Sequence, residues 1–193
     1  MSTSKQLRST DQGWSAISQT LHWLIAVLVI GLGIVGLIMT ELPTSPTKIK
    51  IYALHKSVGI TVLALMVLRL IWRLFDRRPA YPSGMPVWQT SLATLTHGLL
   101  YLLLFVMPLS GWLYNSASNF ALRYFGWFSL PALSAPDPQL KALALEVHQW
   151  GFYLLASLLL VHVAAALKHH WMERDDTLNR MLPWRTSKER PRP

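Results

Sequence analysis

Hydrophobic positions in this chain run in long blocks rather than along one face of short helices. Residues 23–40 carry no charged side chain over eighteen positions, between a polar N-terminal stretch and Glu41–Leu42–Pro43. At 1.5 Å per residue, about 20 such residues cross the roughly 30 Å hydrocarbon layer of a bilayer. A second block, about 51–75, is uncharged from 58 to 68 and closes with Arg69 and Arg73 one turn apart. Arginines at that position can reach an interface with their heads while their stems stay in lipid. The third block, 87–114, is uncharged throughout and contains Pro108 and Gly111. Proline is tolerated inside membrane helices, so a kink is expected there and not a stop. The fourth opens on Asp137–Pro138, a capping residue followed by the residue favoured at the first helical position. It runs to about Trp171, roughly 34 residues or about 50 Å, and so projects beyond the bilayer.

The helices of a soluble bundle would show polar faces at helical spacing, and 23–40, 98–114 and 151–167 have none. The expected fold is therefore an all-α integral membrane protein, a four-transmembrane-helix bundle with spans at about 15–40, 51–75, 87–114 and 138–171. It forms a single membrane domain over 1–193 with a short basic tail at 172–193. About twenty polar residues precede the first span and no small-residue cleavage site follows it, which argues against a cleavable signal peptide.

Charge then orients the bundle. Only 14% of residues are charged, against roughly 25% in soluble domains. Of the 18 basic residues, thirteen fall beside the two termini or in the loop between spans two and three, among them Arg8, Arg69, Arg73, Arg77 and Arg78. The other side has five: Lys48, Lys50, Lys56, Arg123 and Lys141. Both termini are thus expected to be cytoplasmic, and that side is called inner below. The net charge of +9 reports orientation; with no soluble domain to carry it, nucleic-acid binding is not expected. There is no cysteine, which excludes thiolate metal sites, iron–sulfur clusters and thioether-linked haem.

Histidine is costly in hydrocarbon and marks function there by default. Five of the seven histidines lie in or just inside the spans: His22, His55, His97, His148 and His162. On span four, His148 and His162 are 14 residues apart, about 21 Å along the axis and about 40° around it. They share a face at two depths. With alternating helix direction, His22, His97 and His162 fall at the inner level, and His55 and His148 at the outer. Two levels of facing histidines in a four-helix bundle are what two bis-histidine b-type haems require. A haem plane also needs small neighbours. His22 has Ala26, His55 has Gly59, His148 has Gly151, and His162 has Ala165 and Ala166, whereas His97 has Leu100 and Tyr101. This favours His22 with His162 and His55 with His148, leaving His97 a bystander. Zinc or copper would want three or four ligands converging on one point.

Several motifs together resemble the bacterial cytochrome b(561) family: His22–Trp23, Leu54–His55–Lys56–Ser57–Val58–Gly59–Ile60, Arg69–Leu70–Ile71–Trp72–Arg73, His148 and His162, and Lys168–His169–His170 with Asp175–Asp176–Thr177–Leu178. The resemblance covers about residues 15–183. It implies axial ligation of two haem b groups by His22, His55, His148 and His162, in the inner membrane. It also implies single-electron traffic between a periplasmic donor, preferably superoxide, and ubiquinone, an oxidoreductase of the superoxide:ubiquinone type. Membrane lipid, quinone, and superoxide or a redox protein are the expected partners. His169, His170 and Arg174 are candidate contacts for haem propionates or quinone. Tyr124–Phe125–Gly126–Trp127–Phe128 is a candidate outer lid, or an interfacial aromatic belt. Two rivals stand beside this reading: a non-catalytic cytochrome subunit serving a partner dehydrogenase, and a haem-free transporter whose histidines bind metal.

Overall fold

In the computed structural model, which describes residues 8–10, 13–81 and 84–183, four long helices form the expected bundle. They are α1 (Ala16–Glu41), α2 (Pro46–Phe75), α3 (Val87–Ala117) and α4 (Pro138–Lys168). All four are long and apolar enough to cross a membrane. Lys5 and the basic run 188–193 lie outside the described residues.

The helix ends follow their capping chemistry. Ser15 Oγ accepts from Ser18 N at the start of α1, and Asp137 accepts from Gln139 N and Leu140 N at the start of α4. Helix α2 begins at Pro46, five residues before the expected start, because Ser45 caps it through Lys48 N. Lys48 Nζ in turn donates to the carbonyls of Thr40, in the last turn of α1, and Leu42, its C-cap. Pro108 sits inside α3 without ending it. Helix α4 continues into a π-helical turn, His169–Glu173, which closes on Arg174 in the left-handed region at φ 53°.

The surface is apolar, and the interior mixes apolar with small polar residues. Val27, Ile34, Leu102 and Leu160 are exposed, while buried positions include Ser15, Ser18, Ser57, Ser110 and Asn115. That inversion suits a lipid-facing exterior, where an apolar side chain gains nothing by burial and small polar residues let helices approach. Close packing runs α1 on α2, α2 on α3 and α3 on α4. Helix α4 makes no comparable close approach to α1 or α2. A layer containing Leu100, Leu103 and Leu155, with Val29 and Leu104 against it, fills the middle of the bundle.

One element was not legible in the pattern. Leu122–Tyr124 (β1) and Phe128–Leu130 (β2) pair antiparallel into a hairpin between α3 and α4. Its turn places Phe125 (φ 46°) and Gly126 (φ 81°) in the left-handed region, closed by Trp127 N donating to Tyr124 O at 2.9 Å. Phe is unusual there, so no Asn–Gly signal announces the turn. The cost is offset by the fully buried Ser57 of α2, whose Oγ accepts from Phe125 N (3.0 Å) and whose hydrogen goes to Ala53 O in its own helix (2.9 Å).

Candidate functional site

Helix α4 stands off from α1 and α2, and the span histidines meet across that separation. At the inner level the His22 ring of α1 lies 6.3 Å, centroid to centroid, from His162 of α4. At the outer level His55 of α2 lies 6.4 Å from His148 of α4. Two imidazoles on opposite faces of one metal ion are separated by two metal–nitrogen bonds of about 2.0 Å and two nitrogen-to-centroid offsets of about 1.1 Å, or about 6.2 Å. Both pairs could therefore hold an ion between their rings. The third inner histidine, His97 of α3, is 5.3 Å from His162, about an ångström too close for that arrangement, and its side is exposed.

The surroundings of His148 favour ligation. Its Nδ1 lies 2.9 Å from the Met107 carbonyl, which can only accept, so Nδ1 carries the hydrogen and Nε2 is left with its lone pair. Ser110 Oγ is 3.1 Å from the same nitrogen and donates its own hydrogen to Met107 O. Gly111 lets the ring sit against α3: a Cβ there would lie 3.2 Å from His148 Cε1. Gly36 of α1 does the same for His55, whose Cε1 would meet a Cβ at 3.4 Å. The Nδ1 of His55 is buried without a hydrogen-bond partner among the described residues.

The small residues flanking the histidines divide. Gly59 faces open space, as a cofactor plane beside His55 would need. Gly151 does not, because a Cβ there would lie 2.8 Å from Met107 Sδ; its role is to bring α3 and α4 together.

At the inner level the structure adds a group that the histidine pattern did not single out for this place. Arg69 of α2 is half-buried, with Nη2 3.4 Å from His22 Nδ1, Nε donating to Tyr101 Oη (3.0 Å) and Nη1 to Ser18 O (3.3 Å). With Trp14, Ser18, Trp72, Arg73 and Tyr101 it lines a small cleft open to its surroundings. Beneath it, the buried Asp76 accepts from Ser9 N and from the hydroxyls of Ser9, Ser15 and Ser18, at 2.6–2.9 Å, and from Trp72 Nε1 at 3.1 Å. These donors lie up to 67 residues away in sequence, beyond any motif window.

The remaining candidates have other partners. His169 Nδ1 binds Glu173 Oε2 (2.6 Å) and Asp175 Oδ2 (2.8 Å) within its own turn. These three residues form a potential His/Glu/Asp metal-binding cluster, with ligand atoms within 4.8 Å of one another. Arg174 is exposed, and His170 Nδ1 is buried without a partner among the described residues. Asp175 and Asp176 organise a short 3₁₀ turn, Asn179–Met181, through Thr177 N and Arg180 N. In the hairpin, Tyr124, Phe125, Trp127 and Phe128 form one ring cluster, and Tyr124 Oη bonds Thr61 Oγ1 on α2.

Comparison with known proteins agrees with this architecture. The family model described as prokaryotic cytochrome b561 matches residues 13–184. The chain is 36% identical to cytochrome b561 homolog 2 of Escherichia coli (strain K12), over 90% of this chain and 93% of that protein. It is 33% identical to cytochrome b561 homolog 1 of the same organism, over 73% of this chain and 80% of that one. A protein of Yersinia pestis named probable superoxide oxidase CybB is 28% identical over 88% of this chain and 96% of its own length. The chain thus belongs to the prokaryotic cytochrome b561 family, as a multi-pass protein of the inner membrane, and that membership implies an electron-transfer role across it.

Proposed function

We propose that this protein binds two b-type haems, one between His22 and His162 and one between His55 and His148, and passes single electrons between a periplasmic one-electron donor and the quinone pool. The observation that carries the reading is the pair of 6.3 and 6.4 Å ring separations at two depths of one bundle. Bound haem supplies reversible one-electron chemistry, its potential set by axial ligand, hydrogen bonding and burial. The chain's own part is to hold each imidazole in place and to keep the two sites apart by about 21 Å of α4. The Leu103–Leu155 layer excludes water between them.

Superoxide is the preferred donor. It is an anion, and the outer end carries Lys48, Lys50, Lys56, Arg123 and Lys141 against Glu41, Asp137 and Glu146. Three of these cations are held by neutral acceptors: Lys48 by carbonyls, Lys56 by Asn115 Oδ1 and Arg123 by Gly126 O. Their charge is left to attract an incoming anion. The name of the Yersinia pestis relative points the same way.

The test is a reduced-minus-oxidised spectrum with haem quantification on the purified full-length chain, then superoxide-dependent reduction of a ubiquinone analogue. Two haems per chain and quinone reduction without a second protein are expected. A colourless preparation overturns the haem reading. Inertness that is relieved by adding a dehydrogenase overturns the superoxide reading in favour of a relay subunit.

Two substitutions refine the site. His97→Ala is expected to retain both haems, because its ring sits too close to His162 to share an ion with it; loss of the inner haem in that variant would reassign the pair. Gly111→Val should push the His148 ring from the Met107 carbonyl and cost about 1–3 kcal/mol of overpacking. Its signature is loss of the outer haem alone, read as a halved haem content.

A further inference from the structure

The two histidine pairs differ in what stands behind them. Behind the outer pair, the Met107 carbonyl accepts from His148 Nδ1 at 2.9 Å, with Ser110 Oγ at 3.1 Å. A ligand imidazole that donates to a carbonyl becomes a stronger electron donor to its metal. That stabilises the oxidised state, which carries one more positive charge than the reduced state. Behind the inner pair stands a guanidinium, Arg69, 3.4 Å from His22 Nδ1. It is anchored by Tyr101 Oη and the Ser18 carbonyl, so its charge stays beside His22 whichever nitrogen of that ring bears hydrogen. Among the described residues no carboxylate pairs with it. A fixed, unpaired cation in a half-buried place destabilises the oxidised state and favours the reduced one. The outer level has a cation too, Lys56, but its ammonium is directed to Asn115 Oδ1 on α3 (3.0 Å), and no bond joins it to His55 or His148.

We infer that Arg69 and the Met107 carbonyl set the two sites' potentials apart, so that the inner His22/His162 site is the stronger oxidant and electrons run downhill from the outer end to the inner. The inference rests on the two-haem reading, whose donor-to-quinone direction it takes as given, and names the residues that make that direction downhill. Each one-electron donor at the outer end loses one electron, which leaves from the inner site. Two such passages, with two protons taken from the inner side, convert one quinone to its quinol. Arg69 is here a positioning residue for charge. It acts through His22 and touches no reacting atom.

The test is a mediated spectroelectrochemical titration of the full-length, haem-loaded protein in nanodiscs. The wild type should show two one-electron components. The component kept by His148→Ala, which retains the inner site, should be the higher in potential, and the one kept by His162→Ala the lower. Arg69→Gln should lower the inner component so that its reduced-to-oxidised ratio at fixed ambient potential falls about tenfold, which is about 59 mV for one electron. The outer component should not move. Arg69→Lys keeps the charge and should recover most of the shift, whereas a purely structural role would show the same loss in both variants. A wild-type order with the outer site higher overturns the inference, as does an Arg69→Gln protein with both haems and unmoved potentials. Fewer than two haems in the wild type would instead overturn the two-haem reading beneath it.

Discussion

Alanine at His148 is expected to leave one haem per chain against the two proposed for the wild type. Every feature around this side chain serves its ring: the Met107 carbonyl and Ser110 hold Nδ1, Gly111 gives the ring room on α3, and His55 faces it at 6.4 Å. Removing the imidazole takes away one axial bond, and no other histidine lies at that level to replace it, since His97 and His162 are one level below. The inner site should be untouched, because the buried Leu155 layer separates the two and distant sites behave independently. His55→Ala should match it, and His22→Ala and His162→Ala should give the mirror result, with only the outer haem kept. Haem extraction and quantification, with the visible spectrum of the remaining component, measures this directly. Two full haems in any of the four variants would remove that residue from the ligand set.

Asp76→Ala should be the most damaging substitution outside the histidines. One carboxylate gathers five donors: the cap residue Ser15 at the start of α1, Ser18 one turn in, both donors of Ser9, and Trp72 from α2 itself. It thereby ties the N-terminal segment, the start of α1 and the end of α2 into one buried knot. Truncation leaves several buried donors without an acceptor, each costing about 1–3 kcal/mol before relaxation. Partial rescue by water brings the expected loss to about 3 kcal/mol, a fall in Tm of about 10 °C for a chain of this size. Ser9→Ala should cost only about 1 kcal/mol, because other donors remain on the carboxylate. Thermal unfolding of the two variants side by side separates a shared knot from independent bonds.

The same knot predicts an acid limit. Burial alone would raise the Asp76 carboxyl, but the hydrogen bonds from Ser9, Ser18 and Ser15 outweigh it and hold the group down to about 2. A folded-state value below the unfolded one, about 3.9, makes the carboxylate's contribution fully present above pH 4. That contribution drains away as pH falls toward 2. Wild type should therefore lose stability over that window more steeply than Asp76→Ala, and equal acid sensitivity would show the knot to be weak. Because Ser18 also offers its carbonyl to Arg69, loosening the knot should disturb the inner end before the outer.

Hydropathy and helix geometry carried the sequence a long way. Blocks without charge located four spans, the excess of basic residues gave them an expected orientation, and a rise of 1.5 Å per residue sorted five histidines into two levels. These quantities are local: they depend on the residues of one helix and on the bilayer, and no neighbour is needed to compute them. Lateral relations are not local. Whether His97 or His22 stands at the right distance from His162, 5.3 or 6.3 Å, depends on how α1 and α3 pack beside α4. Gly151, which lies one turn from His148, turned out to admit Met107, whereas the glycines that seat the rings, Gly36 and Gly111, come from other helices. The Phe125 turn forms against its own propensity because Ser57 on α2 receives its amide. Asp76 follows the same logic, as its donors converge only when chain segments 58–67 residues apart are brought together. The sequence by itself determined depth, since burial in lipid is an energy each helix meets alone. Only the tertiary structure decided partnership, since a hydrogen bond or a shared ion needs two groups from different helices within about 3 Å of a common point.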